Sequence, residues 1–145
     1  SSLSPQIPGG KAHAVVSIEP TEAIRVLQKY GNQEVKVISN TRPVYPLGVI
    51  CGDVAYPSEE ELNSWMQKLT GAYWLINATD EAVRLGNPIL GNVLLVGALA
   101  GIGDLPLSRE VFRAVMVRTM PAGKLDINLS AFDKGLKSVQ LLSNE

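Results

Sequence analysis

The sequence holds one histidine, His13, and one cysteine, Cys51. A nucleophile–histidine relay would have to run through His13, and no nucleophile lies near it in the chain. One cysteine forms no internal disulfide. A zinc site takes about four Cys, His or carboxylate ligands, and an iron–sulfur cluster takes about four cysteines. The chain by itself is therefore expected to hold neither. Cys51 lies among apolar residues, which predicts a buried or half-buried, inert thiol. His13 opens a strand-like stretch and reads as a partly exposed structural residue. No catalytic constellation emerges from these residue types.

Polar residues that could bind a ligand fall at predicted strand ends. Asn40-Thr41-Arg42-Pro43 directly follows a strand-like segment, and ligands of open α/β sheets sit just beyond the carboxyl ends of strands. Asn40 and Thr41 can hydrogen-bond a ligand, and Arg42 can pair with phosphate or carboxylate. The competing reading is a solvated turn carrying a surface arginine. Asn77-Ala78-Thr79-Asp80 follows the next strand, and its composition favours plain helix capping. Asn87 and Asn92 flank the start of a helix slimmed by Gly91, Gly97, Ala98, Ala100 and Gly101. Two glycines inside a helix cost about 1 kcal/mol each against alanine. Close packing must compensate, either at a subunit contact or within the same domain, and the sequence leaves both open. Gly101-Ile102-Gly103 lacks the third glycine of a phosphate loop and follows a helix, so it reads as a helix terminator. Glu59-Glu60-Glu61 suits the positive end of a helix dipole.

Alternating strands and helices position these residues. Ser1–Lys11 carries Pro5, Pro8, Gly9 and Gly10 and reads as a loop. Ala12–Glu19 is expected to be a buried strand, and Pro20 suits the first turn of a helix ending at Tyr30. In that helix Ala23, Ile24, Leu27 and Tyr30 share a face. Val35–Asn40 is the second strand. Thr41–Pro46 is too rich in proline for a central strand, and Val49-Ile50 and Val54–Tyr56 around Cys51-Gly52-Asp53 predict a short hairpin or extended edge. Ser58 and Glu61 have capping-box spacing, and Leu62, Trp65, Met66 and Leu69 form the stripe of the following helix. Ala72–Ala78 is the third strand. Helices are expected over Asp80–Leu85, from Pro88 through Ala100, from Ser108 to about Arg118, and over Asp126–Leu142. In the last of these Asn128, Ala131, Phe132, Gly135, Leu136 and Val139 share one face. The alternation argues for mainly parallel strands joined by right-handed crossovers. The expected architecture is a single α/β, Rossmann-like, three-layer domain over residues 1–145, with a helical C-terminal third.

Composition sets the outer limits. Lys plus Arg number 13 and Asp plus Glu 14, a net charge of −1, so no basic footprint for nucleic acid or a membrane surface exists. The longest apolar run, Val93–Ile102, is too short to span a bilayer, which takes roughly 20 residues. Ser1–Gly10 has neither the basic start nor the apolar stretch of a signal peptide. A cytoplasmic location is the expectation that follows. The 46% hydrophobic and 19% charged residues are those of an ordinary globular domain rather than a disordered segment.

Four stretches taken together go further: Ile7–Arg25, Ile38–Pro46, Ala78–Ala100 and Ile127–Gly135. In this order and spacing the chain resembles the gamma domain of pyruvate and other 2-oxoacid:ferredoxin oxidoreductases, with the beta subunit of the indolepyruvate enzymes as the nearest form. The joint carriers of the likeness are Glu19-Pro20 with Glu22-Ala23, and Gly86-Asn87 with Asn92 and Gly97-Ala98. Members of that family open with a strand and a glycine-rich GxGGxG turn. This sequence has no such segment, so an N-terminally incomplete domain is expected.

The resemblance implies a subunit or domain that supports oxidative decarboxylation of a 2-oxoacid to an acyl-CoA, with ferredoxin as electron acceptor. It implies thiamine diphosphate and iron–sulfur clusters in partner subunits, one thiamine-binding and one ferredoxin-like, and an isolated chain without activity. It also implies a contact with coenzyme A or a neighbouring subunit at Asn40, Thr41, Arg42 and Pro43, with Asn87 and Asn92 as lesser candidates. Two rival readings stand beside it. One is a stand-alone Rossmann-like protein binding a nucleotide or coenzyme A, and the other is a pure scaffold subunit.

Overall fold

A computed structural model describes residues 6–142. The chain divides into two compact units, Ser1–Tyr73 and Trp74–Glu145. Its strands form one open sheet in the order β1 (Ala14–Ser17), β2 (Lys36–Asn40), β3 (Ala72–Ile76). β3 begins in the first unit and ends in the second. The strands run parallel and carry flanking helices, the α/β Rossmann-like arrangement expected from the alternation. β1 and β2 pair in register from Ala14 opposite Lys36 to Ser17 opposite Ser39.

In the first unit, helix α1 (Pro20–Tyr30) makes the crossover between β1 and β2. Pro20 fits the first turn because its missing N–H has no helical partner there. Ala23, Ile24 and Leu27 turn inward, while Tyr30 is half-buried. β2 is covered most completely, with Val37, Ile38, Ser39 and Asn40 all buried. β1 differs from the expected buried strand. It is shorter, and its side chains alternate: Val15 and Ser17 are buried while Val16 and, just beyond it, Ile18 are exposed. This is the period of two of a strand covered on one face.

The predicted hairpin around Cys51 is instead a single helical turn, α2 (Leu47–Ile50). The Pro46 carbonyl accepts from the amides of Val49 and Ile50, and Leu47 accepts from Cys51. Gly52, at φ +81°, reverses the chain so that Asp53 and Val54 donate back to the Gly48 carbonyl. These local bonds override the β propensity of Val49 and Ile50. α2 buries none of its residues, and Cys51 is exposed, contrary to the buried thiol expected from its apolar neighbours.

Helix α3 (Glu59–Leu69) starts on the anticipated capping box, with Ser58 and Glu61 bonding each other's backbone amides. Its stripe is narrower than expected: Leu62 and Met66 are buried, Leu69 is half-buried, and Trp65 lies at the surface.

The second unit is helical beyond β3. α4 (Ala78–Arg84) begins directly after Asn77, whose side chain accepts from the Asp80 amide, so the strand ends sooner than expected. α4 and α5 (Gly91–Ile102) are separate helices, as expected, but the helix expected from Pro88 through Ala100 opens on a 3₁₀ turn over Pro88–Leu90 and ends at Ile102. Gly103, at φ +80°, ends α5 in the left-handed conformation that glycine adopts without strain. α6 (Arg109–Thr119) is capped by Ser108, and a 3₁₀ turn over Ala122–Lys124 leads into α7 (Leu125–Leu142).

α7 turns its expected face inward: Asn128, Ala131, Phe132, Gly135 and Val139 are buried and Leu136 half-buried. α5 lies along that face at very short range. A methyl group on Gly97 would overlap the Phe132 carbonyl, and one on Gly135 would overlap the Leu94 carbonyl. The small-residue helix is therefore explained by close packing within its own unit. Phe112 of α6 stacks on Phe132, with ring centroids 4.5 Å apart, and both belong to a core cluster with Leu129.

Candidate functional site

The carboxyl ends of β1 and β2 gather the polar groups of the first unit. Asn40, the last residue of β2, is buried, and its amide donates to the Ile18 carbonyl at 3.2 Å. That bond ties the ends of the two strands together. Thr41 and Arg42 follow at the surface, and Pro43 is half-buried. The four expected residues thus divide by role. Asn40 holds the scaffold, and Thr41 and Arg42 reach solvent where a ligand can meet them.

Glu19 lies beside this junction and is 3% exposed. It sits at the N-cap of α1 with extended backbone angles, and its Oε2 accepts from the Glu22 amide at 2.9 Å and the Thr21 hydroxyl at 2.6 Å. Oε1 accepts a short hydrogen bond from the phenol of Tyr56. Burial pushes the Glu19 carboxyl up, but the hydrogen bonds from Thr21, Tyr56 and the backbone outweigh it and hold the group below the usual carboxylate range. Tyr56 shifts the opposite way. Burial, then the hydrogen bond to Glu19 and its negative charge, raise the phenol well above its ordinary value. The pair is a carboxylate receiving a proton-bearing phenol, with Tyr45 edge-on to Tyr56 at 5.1 Å between ring centroids.

Sequence reasoning missed this cluster. Glu19-Pro20 stood out only through resemblance, although an acidic residue before a helix-starting proline is itself an N-cap signal. Nothing in the sequence marks Tyr56, which lies 37 residues away from its partner.

Asn87 and Asn92 belong to the second unit. The Asn87 side chain accepts from the Ile89 amide at 3.0 Å and so caps the 3₁₀ turn, while Asn92 is exposed in the first turn of α5. A charged network also fixes this unit. Lys134 of α7 meets Glu81 of α4 at 2.6 Å, Arg84 shares Glu81, and Arg109 of α6 grips Asp133 with two bonds of 2.7 and 3.0 Å. Among the described residues, no group of three His, Cys, Asp or Glu side chains is placed to hold a metal ion, and no helix is long and apolar enough to cross a membrane.

An open parallel sheet with polar loops at its strand ends defines an α/β protein of Rossmann-like fold. The gamma subunit of a keto/oxoacid ferredoxin oxidoreductase from Geobacter sulfurreducens has the same fold. The two align with a TM-score of 0.56 at 14% identity, over 89% of this chain and 64% of that one. Residues 1–138 match the pyruvate ferredoxin/flavodoxin oxidoreductase family, and the chain belongs to that family. It is 35% identical over 139 residues to indolepyruvate oxidoreductase subunit IorB of Pyrococcus horikoshii, covering 95% of this chain and 68% of that protein. It is 33% identical to the subunit of the same name from Thermococcus kodakarensis, covering 92% of this chain and 66% of that protein. The chain thus spans about two thirds of the length of these relatives.

Proposed function

We propose that this chain is a non-catalytic subunit, or part of one, in a 2-oxoacid:ferredoxin oxidoreductase of the indolepyruvate kind. Family membership across residues 1–138 carries the reading. The side chains agree with a supporting role: the one buried carboxylate of the strand-end site, Glu19, is already engaged by Thr21, Tyr56 and a backbone amide. Thiamine diphosphate and iron–sulfur clusters, in a thiamine-binding and a ferredoxin-like partner subunit, would supply decarboxylation and the electron path to ferredoxin. The described residues offer no ligand set that fits a metal cluster, so no step is assigned to one on this chain.

Two tasks remain for the chain's own surface. Thr41 and Arg42 stand exposed at the end of β2, where Arg42 can pair with a phosphate of coenzyme A as it joins the assembled enzyme. Beyond them Val44, Tyr45, Leu47, Ile50 and Val54 are each 52–75% exposed. Such a concentration of large apolar side chains suits burial against a neighbouring subunit of the same oxidoreductase.

Arg42→Ala tests the coenzyme contact. Coenzyme A affinity of the assembled enzyme should fall roughly tenfold, the loss of a charge-assisted hydrogen bond, while assembly stays intact. Unchanged affinity and turnover would remove coenzyme A from this loop. Calorimetry on the isolated chain with coenzyme A, NAD and ATP should show weak binding or none. Tight binding of any one would favour a stand-alone nucleotide-binding protein.

A further inference from the structure

The segment between Asn40 and Tyr56 leaves the end of β2 and comes back beside the start of α1, and the two residues that hold its ends, Ile18 and Glu19, are neighbours on the chain. Asn40 is tied to the carbonyl of Ile18, and Tyr56 to the carboxylate of Glu19. From Thr41 to Pro57 no side chain is buried. The segment's backbone bonds close upon itself: Val49 and Ile50 to Pro46, Cys51 to Leu47, Asp53 and Val54 to Gly48. Tyr45 rests edge-on against Tyr56 and so belongs to the same piece. Among the described residues, the Tyr56 hydroxyl makes the hydrogen bond by which this excursion grips the rest of its unit. Compact surface loops with few buried contacts commonly open as one cooperative unit and commonly carry function.

We infer that Thr41–Ala55 is a strap that unfolds locally as one cooperative unit beyond Asn40, its internal backbone bonds breaking together, and that the Tyr56 hydroxyl on Glu19 is its catch. Asn40 is the fixed end because it is buried in the sheet. Tyr56 is the releasable end because its ring is only half-buried and a single hydrogen bond holds it. Opening frees the exposed Arg42 and the apolar side chains of the strap together, since they share one backbone path. It leaves α1 capped, because Glu19 keeps the Thr21 hydroxyl and the Glu22 amide. The inference needs neither a coenzyme nor a partner subunit, so it stands or falls apart from the proposed function.

Amide hydrogen exchange on the full chain tests it with Tyr56→Phe, which removes the catch and keeps the ring. The amides of Val49, Ile50, Cys51, Asp53 and Val54 should exchange roughly tenfold faster, the loss of one hydrogen bond to a charged group. They should accelerate by a common factor, and the amides of α1 from Ile24 to Tyr30 should keep their rates. Thr21→Val, which removes another bond to the same carboxylate, should leave the strap's exchange as it is. Unchanged exchange in Tyr56→Phe, an equal acceleration throughout the first unit, or an opening of the strap in Thr21→Val as large as in Tyr56→Phe would each overturn the inference.

Discussion

At the scale of single residues, Glu19 matters more than any group the sequence singled out. Its carboxylate caps α1 and binds Tyr56 at once, so its ionisation is linked to folding. The carboxyl titrates lower in the folded chain than in the unfolded one because the cost of burial is outweighed by hydrogen bonds from Thr21, Tyr56 and the backbone to its charged form. Its stabilising effect is therefore complete above the ordinary glutamate value and drains away as pH falls through the lowered one. The phenol of Tyr56, whose own value is raised, stays protonated across that range. Glu19→Gln should lower stability near neutral pH by about 1–2 kcal/mol, the scale of a lost cap and charged hydrogen bond. That deficit should shrink towards zero in acid, as read by urea unfolding at a series of pH values. A deficit that stays constant with pH would show that the ionised carboxylate is not what matters. Cys51 offers a simpler check. Being exposed, it should react with a thiol reagent in the native protein about as readily as after unfolding.

At the scale of elements, the α5–α7 pair shows what close helix contact demands. Gly97 and Gly135 are required because carbonyls of the facing helix occupy the space of a side chain. Gly135→Ala should cost about 1–3 kcal/mol, the usual penalty for overpacking. Gly123→Ala, where a methyl would meet nothing within 4 Å, should change stability by no more than about 0.5 kcal/mol. Equal effects in the two variants would mean that the helices move apart easily. The sequence made much of this legible. The periodicity of Asn128 to Val139 marked the buried face of α7, Pro20 marked the start of α1, and Ser58 with Glu61 marked that of α3. It misjudged the stretch from Leu47 to Tyr56, because the β propensity of Val49, Ile50 and Val54 says nothing of the local bonds to Pro46 and Gly48. It misjudged Val16, Ile18 and Cys51 for a related reason: apolar composition does not reveal which faces are covered. Of the candidate site, the strand-end position of Asn40–Pro43 could be read directly. The Glu19–Tyr56 pairing could not, since it joins residues distant in sequence.

At the scale of the whole molecule, the question is which forces would bring this chain to its partners. Its net charge is only −1, which gives little long-range steering. The strap from Thr41 to Ala55 carries just Arg42 and Asp53 as charged residues, among apolar side chains that reach 75% exposure at Leu47 and 70% at Ile50. An interface formed there would gain its free energy from apolar burial, about 25 cal/mol for each Å² removed from water. Burial of this kind is not screened by salt as ion pairs are. Association with the other subunits should therefore change little between low and moderate ionic strength. Leu47→Glu should weaken it by tenfold or so, since a charge would replace a fully buried side chain worth roughly 1.5–3 kcal/mol. The free chain should lose almost none of its own stability, because Leu47 is exposed and α2 buries nothing. Sedimentation or pull-down at two salt concentrations, paired with unfolding of the free variant, separates the outcomes. Steep salt dependence together with an indifferent Leu47→Glu would move the contact away from the strap and onto charged surface elsewhere.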